Sequence, residues 1–185
     1  MEKIRAFIAL DLPKTAKADI KVIQNRLKER FPTEVNWLPL EQIHFTVAFL
    51  GERTKKEIKK IGQILDDLAS KQTAVVLRPH YVRSFSHVIA IKMLSKKIRT
   101  FYADLVQEFQ KQGIEYEERR KFKPHITIGR LTGRLPKKFK GSSRFPGFKI
   151  EKIYLKKSTF KSEGAEHEII SRHPFRLRSL PPQSQ

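Results

Sequence analysis

Four residues of this chain are best equipped for chemistry, and they come as two matched pairs: His44 with Thr46, and His125 with Thr127. Each pair sits in a stretch that reads His, apolar, Thr, apolar: His44-Phe45-Thr46-Val47 and His125-Ile126-Thr127-Ile128. Six histidines and nine threonines in 185 residues supply roughly 0.3 His-x-Thr by chance, so two copies with apolar partners are a signal. An imidazole changes charge near neutral pH and can deliver or accept a proton. A hydroxyl nearby can donate to an anionic oxygen. Two such sets facing one centre would supply an acid, a base and two donors.

That convergence needs strands. Side chains on a strand alternate faces, so His44 and Thr46 share one face while Phe45 and Val47 share the other. His125 and Thr127 relate to Ile126 and Ile128 in the same way. The flanking segments supply the frame. Residues 4–10 read as a strand, and Pro13 opens a helix with an apolar stripe of Ala16, Ile20, Ile23, Leu27 and Phe31. The extended Trp37-Leu38-Pro39 leads into a strand over 43–50. Thr54 and Glu57 form a capping box for a second helix running to about Ser70. Strands follow over 74–77 and 88–93. Ser95 caps a third helix bearing Ile98, Phe101, Leu105 and Phe109, stopped by Gly113. Strands over 149–155 and 167–171 close the chain.

The two halves match at an offset of 125 − 44 = 81 residues. Phe7-Ile8-Ala9-Leu10 falls on Val88-Ile89-Ala90-Ile91, Ile20 on Phe101 and Leu50 on Leu131. Each half is strand, helix, motif strand. One duplication of this size predicts two similar lobes about a pseudo-twofold axis, with the motif strands facing one another across a cleft. We read 1–178 as a single bilobal domain formed by this duplication and 179–185 as a flexible tail.

Composition narrows the partners. Lys and Arg number 39 against 19 Asp and Glu, a net charge of +20. That excess favours a polyanion such as RNA. There is no cysteine, so disulfides, thiolate metal sites and cysteine nucleophiles are excluded. No spacing of acidic residues suggests a metal, Thr is a poor zinc ligand, and no glycine-rich loop with Lys-Ser/Thr suggests ATP. No cofactor is expected. The only early apolar run, residues 6–10, is too short for a signal peptide or a membrane span, so a cytoplasmic protein with no membrane partner is expected. Residues 132–149 read as a basic loop whose Phe139, Phe145 and Phe148 either offer stacking faces to a nucleic acid or anchor the loop to the body. His80, His87, His167 and His173 have no matched partner and read as surface or structural.

These stretches resemble the 2H phosphoesterases, and among them the bacterial 2′-5′ RNA ligases, also called RNA 2′,3′-cyclic phosphodiesterases. The resemblance is carried by Arg5-Ala6-Phe7-Ile8-Ala9-Leu10-Asp11-Leu12-Pro13 and by Asn36-Trp37-Leu38-Pro39 leading into Ile43-His44-Phe45-Thr46-Val47-Ala48-Phe49-Leu50-Gly51-Glu52. It continues in Phe122-Lys123-Pro124-His125-Ile126-Thr127-Ile128-Gly129-Arg130, and from Leu155 through Ser158 to Gly164-Ala165. One departure is Glu166-His167, where the family often carries an aromatic. The resemblance implies an α+β fold, the 2H phosphoesterase fold: two pseudo-twofold lobes, each an antiparallel sheet with helices packed outside, around a central cleft.

It also implies metal-independent opening of a 2′,3′-cyclic phosphate at an RNA 3′ end to a 2′-phosphate, with 2′-5′ ligation as the reverse type of reaction. By that analogy His44 is the general acid and His125 the general base; the near-symmetric halves leave the order open on residues alone. Thr46 and Thr127 are placed to donate to the non-bridging oxygens. Arg130 is a substrate contact by resemblance, but strict alternation turns it away from His125 unless the strand bends at Gly129. The expected partner is RNA with a 2′,3′-cyclic phosphate terminus, bound by a monomer. The rivals are a non-catalytic basic RNA-binding protein, or the same fold acting on small cyclic nucleotides or 2′-5′ oligonucleotides.

Overall fold

Local signals place the three helices. In the computed structural model, which describes residues 2–116, 122–133, 139–161 and 164–176, α1 (Lys14–Arg30) begins directly after Pro13 and buries Ala16, Ile20, Ile23, Gln24 and Leu27. α2 (Lys55–Ser70) starts on a complete capping box. The Thr54 hydroxyl accepts from the Glu57 amide at 3.3 Å, and the Glu57 carboxylate accepts from the Thr54 amide at 2.8 Å. α3 (Lys96–Lys111) is capped by Ser95 and buries Ile98, Phe101, Leu105 and Phe109. Gly113, at φ 63°, takes the left-handed turn that follows it. No helix among the described residues is long and apolar enough to cross a membrane.

The strands are β1 (Lys3–Asp11), β2 (Val35–Trp37), β3 (His44–Thr54), β4 (Val75–Phe85), β5 (Val88–Leu94), β6 (His125–Leu131), β7 (Lys140–Ser142), β8 (Phe148–Ile150), β9 (Lys152–Lys161) and β10 (Gly164–Pro174). They run in the order β10-β9-β1-β3-β6-β5-β4-β7, with β2 on β6 and β8 on β4. Every pairing between them is antiparallel. The two lobes are the halves of this sheet. They meet through a single rung, Phe45↔Ile126.

That rung explains the pseudo-symmetry, because 45 + 81 = 126. Two equivalent residues pair antiparallel with one another, so the approximate twofold axis passes between them. Register is duplicated as faithfully as sequence. Leu10↔Phe45 and Asp11↔His44 in the first lobe correspond to Ile91↔Ile126 and Lys92↔His125 in the second. One irregularity repeats as well: Val47 is the extra residue between the rungs Ala9↔Thr46 and Ile8↔Ala48, and Ile128 between Ala90↔Thr127 and Ile89↔Gly129.

One face of the sheet carries the core. Ala6, Ile8, Leu10, Phe45, Val47, Ile126 and Ile128 cluster there with the buried stripes of the three helices. α1 reaches across to the second lobe. The Gln24 amide, 1% exposed, donates to the carbonyls of Leu38 at 2.8 Å and Ile128 at 2.9 Å. It thereby ties down the backbone at the bulge of β6.

The basic segment over 132–149, expected to be a loop, carries strands. β7 and β8 lie within it, both pairing with β4. Phe139 and Phe148 are buried and Phe145 packs against the core. Phe139 meets Phe31 edge-to-face at 5.2 Å. Its amide donates to the Ser84 hydroxyl at 2.8 Å. The aromatic spacing thus anchors the segment, and burial removes these rings as stacking platforms. Arg134, Lys137 and Lys138 of that segment lie outside the described residues, as does the expected tail over 179–185.

Candidate active site

The face opposite the core carries both motifs. Phe45 and Ile126 are fully buried, so their neighbours His44, Thr46, His125 and Thr127, each partly exposed, project to the other side. Continued by one residue either way, the central rung sets His44 opposite Thr127 and Thr46 opposite His125. The two histidines are then diagonal neighbours, with a backbone separation of about 7–8 Å. That suits two rings approaching one small group from two sides.

Both rings are held in the same manner. His44 Nδ1 donates to the carbonyl of Gln42 at 2.7 Å, and His125 Nδ1 to that of Lys123 at 2.6 Å. A carbonyl only accepts, so the proton is on Nδ1 and Nε2 is the nitrogen left for chemistry. The holding carbonyls are themselves 81 residues apart.

The surroundings differ. The face of β1 toward His44 carries Phe7, Ala9 and Asp11, while Ala6, Ile8 and Leu10 fill the core. The Phe7 ring lies 5.1 Å from His44, 6.2 Å from Phe49 and 4.8 Å from His167. His167, on β10 opposite Ser158, meets His44 edge-on at 5.2 Å. Lys156, 8% exposed, donates to the Asp11 carboxylate beside them. This enclosure lowers the His44 pKa to about 4, chiefly because burial disfavours the imidazolium; the charges of His167 and Lys156 lower it further, while the Gln42 carbonyl and Asp11 oppose them. His167 is lowered for the same first reason, then by Lys156 and Arg130.

The second lobe is more open. His125 meets Phe85 edge-to-face at 5.0 Å and has Lys92 where His44 has Asp11. A cavity of about 260 Å³ adjoins it, lined by Tyr81, Arg83, Phe85, Lys92, Arg99, Phe122, Lys123 and Pro124 besides His125 itself.

Arg130 shows why the bulge matters. Ile128 and Gly129 both turn towards the core, so Arg130 returns to the face of His125. Its equivalent in the first lobe, Phe49, returns likewise and touches Phe7. The bend expected at Gly129 is there, beginning one residue earlier. A Cβ on Gly129 would lie 2.5 Å from Val35 Cγ1 and 3.2 Å from Trp37 Cε3, so glycine is what lets β2 close over this bend.

The sequence profile of the AKAP7 2′5′ RNA ligase-like domain matches residues 7–172, nearly the whole of the chain. The chain belongs to that family. It is 28% identical over 181 residues to an RNA 2′,3′-cyclic phosphodiesterase of Methanocaldococcus jannaschii, covering 90% of this chain and 98% of the relative. It is 29% identical over 139 residues to one of Thermotoga maritima, covering 69% and 70%. Among solved structures, E. coli LigT complexed with 3′-AMP superposes with a TM-score of 0.80 at 21% identity, over 95% of this chain and all of that one. A phosphoesterase crystal structure superposes at 0.78 and 20% identity, over 94% of this chain and 99% of that one. At such identity these structures speak for the fold alone.

Within the 2′5′ RNA ligase-like fold, all five residues singled out from the sequence share one face. The sequence reading missed four others on it: Phe7, Asp11, Lys156 and His167. Reading His167 as surface or structural was a misplacement, since its ring lies against His44. The available signal was its position two residues beyond Gly164-Ala165, where the resemblance already marked a departure. His173 is structural as read: it is 2% exposed and bonded to Asp66 at 2.7 Å and Ser171 at 2.8 Å. His80 and His87 are exposed. Among the described residues no group of three or more His, Asp or Glu converges as a metal site.

Proposed function

We propose that this chain opens 2′,3′-cyclic phosphates at RNA 3′ ends with water, leaving a 2′-phosphomonoester. The observation that carries the reading is the central rung. Continued by one residue either way, it supports a reading in which two equivalently tethered imidazoles and two hydroxyls share one face. Names of relatives matched along most of their length point the same way.

The proton flow balances with these groups alone. His125 Nε2 takes a proton from water as its oxygen attacks phosphorus. His44, protonated on both nitrogens, gives the Nε2 proton to the 3′ oxygen as the P–O3′ bond breaks. Thr46 and Thr127 donate to the non-bridging oxygens, whose charge grows in the transition state. Arg130 adds a positive charge to the same face. In the empty cleft His44 is neutral at pH 7, since its pKa is about 4. The anionic phosphate counters the burial that keeps it so, so substrate arms its own acid. We assign the working form as a cytoplasmic monomer without a cofactor, and 2′-5′ ligation as the same chemistry run backwards.

The deciding experiment incubates the protein, with EDTA present, with an RNA ending in 2′,3′-cyclic phosphate and identifies the terminus produced. A 2′-monophosphate is expected. A 3′-monophosphate, or binding with no product, overturns the proposal, the second outcome in favour of a non-catalytic RNA binder.

A further inference from the structure

The cavity beside His125 has a composition the hydrolysis does not call for. Among the described residues its lining includes four cations, Arg83, Lys92, Arg99 and Lys123, and no acid. Among the described residues no carboxylate pairs with any of them. One of these charges, Lys92, stands on a line drawn across the sheet by register, and Arg83 stands two residues further along β4. His125 pairs with Lys92, Lys92 with Tyr81, and Tyr81 with Ser142. Arg83 in turn pairs with Lys140. Strand spacing puts Tyr81 about 10 Å from His125. The ammonium groups of Lys92 and Lys140 lie 5.2 and 4.6 Å from the centre of the Tyr81 ring. The Tyr81 phenol is held below its usual pKa, first by its bond with Arg83 and then by Lys92. Arg99 comes from α3 on the far wall.

Like charges gathered with no counter-charge among the described residues disfavour the empty state and favour an anion. The corresponding face of the first lobe differs, because there Asp11 stands in the place of Lys92 and is neutralised by Lys156.

We propose that this cavity is a second phosphate subsite, holding the phosphodiester on the 5′ side of the terminal nucleotide. It would make the chain an enzyme of RNA strands in preference to cyclic mononucleotides. This rests on the proposed hydrolysis. Arg83, Arg99, Lys92 and Lys123 hold the penultimate phosphate. Tyr81 and Phe122 give that nucleotide an aromatic wall, a pairing suited to single strands. The cyclic phosphate itself stays between His44 and His125.

The test compares kcat/KM for adenosine 2′,3′-cyclic phosphate with that for the dinucleotide ApA ending in 2′,3′-cyclic phosphate. The intact protein should prefer the dinucleotide by about tenfold or more, the worth of one charge-assisted contact. That preference should fall as salt rises. Arg83→Gln and Arg99→Gln, at exposed positions, should each shrink it towards unity while leaving the mononucleotide rate unchanged. Arg83→Glu should abolish it. Equal rates for the two substrates in the intact protein, or a preference unmoved in all three variants, overturns the subsite alone. Failure to turn over either substrate overturns the hydrolysis as well.

Discussion

The two lobes share strand order, motif, tether and bulge, yet they surround their histidines differently. His44 sits among Phe7, His167 and a partly buried Lys156–Asp11 pair. His125 sits at the mouth of a cationic cavity. The two halves share what the backbone dictates: the Nδ1 tether two residues back and the extra residue that turns Phe49 and Arg130 to the face. The positions that differ are neighbours in the register, above all 11 and 92, where an acid beside His44 is replaced by a base beside His125. A near-symmetric frame thus holds two imidazoles in unequal surroundings, His44 enclosed so that burial lowers its pKa and His125 beside a cationic cavity. Symmetry tethers the rings alike, and its breaking in the second rank of residues gives each different neighbours.

The largest expected effect tests whether the halves are equally necessary. His44→Ala and His125→Ala should each lower hydrolysis by about a hundredfold or more, the usual worth of one acid or base. A substrate whose leaving group departs without a proton then separates them. It should restore most of the rate to His44→Ala and little to His125→Ala, and the opposite pattern would exchange the two roles.

A smaller effect should appear in one lobe's framework alone. Gln24 ties the bulge of β6, while its equivalent is the apolar Leu105. Gln24→Leu leaves the Ile128 carbonyl with its bond from the Leu38 amide but strips the Leu38 carbonyl of that side-chain donor. The cost should be about 2 kcal/mol in denaturant unfolding. If the bulge aims Arg130, KM for the cyclic-phosphate RNA should rise as well; an unchanged KM would detach Arg130 from the site.

The smallest effect is a displaced pH profile. Lys156 opposes protonation of His44, and Asp11 favours it. Lys156→Met removes the opposing charge and unmasks Asp11, so both changes raise the His44 pKa. The acidic limb of kcat/KM, which reports the free protein, should move up from about 4. A limb that stays in place would mean that another group sets it.

Periodicity and local chemistry made much of this legible in advance. The capping box, the proline start of α1, the alternation of the motif strands and the offset of 81 are short-range or pairwise features, and each led to the element found. The two His and two Thr were legible because a strand fixes which residues share a face. Legibility stopped where a contact crosses the sheet. His167 looked solitary because what gives it a role is its contact with a ring 123 residues earlier, where β9 lies between β1 and β10. The basic Phe-bearing segment reads as a loop with its rings either exposed or anchored, because composition reports exposure only on average. Burial of Phe139 and Phe148 was decided by the apolar surface that β4 and α1 leave uncovered.

By itself the sequence determined the elements, their duplication and the pair of imidazoles, since these follow from spacing along one chain. Tertiary structure alone decided the central rung of equivalent residues, the bulge that turns Arg130, and the unequal surroundings of the two rings. Those depend on which strands become neighbours, and strand neighbours are chosen by burial of the whole sheet, not by any local run of residues.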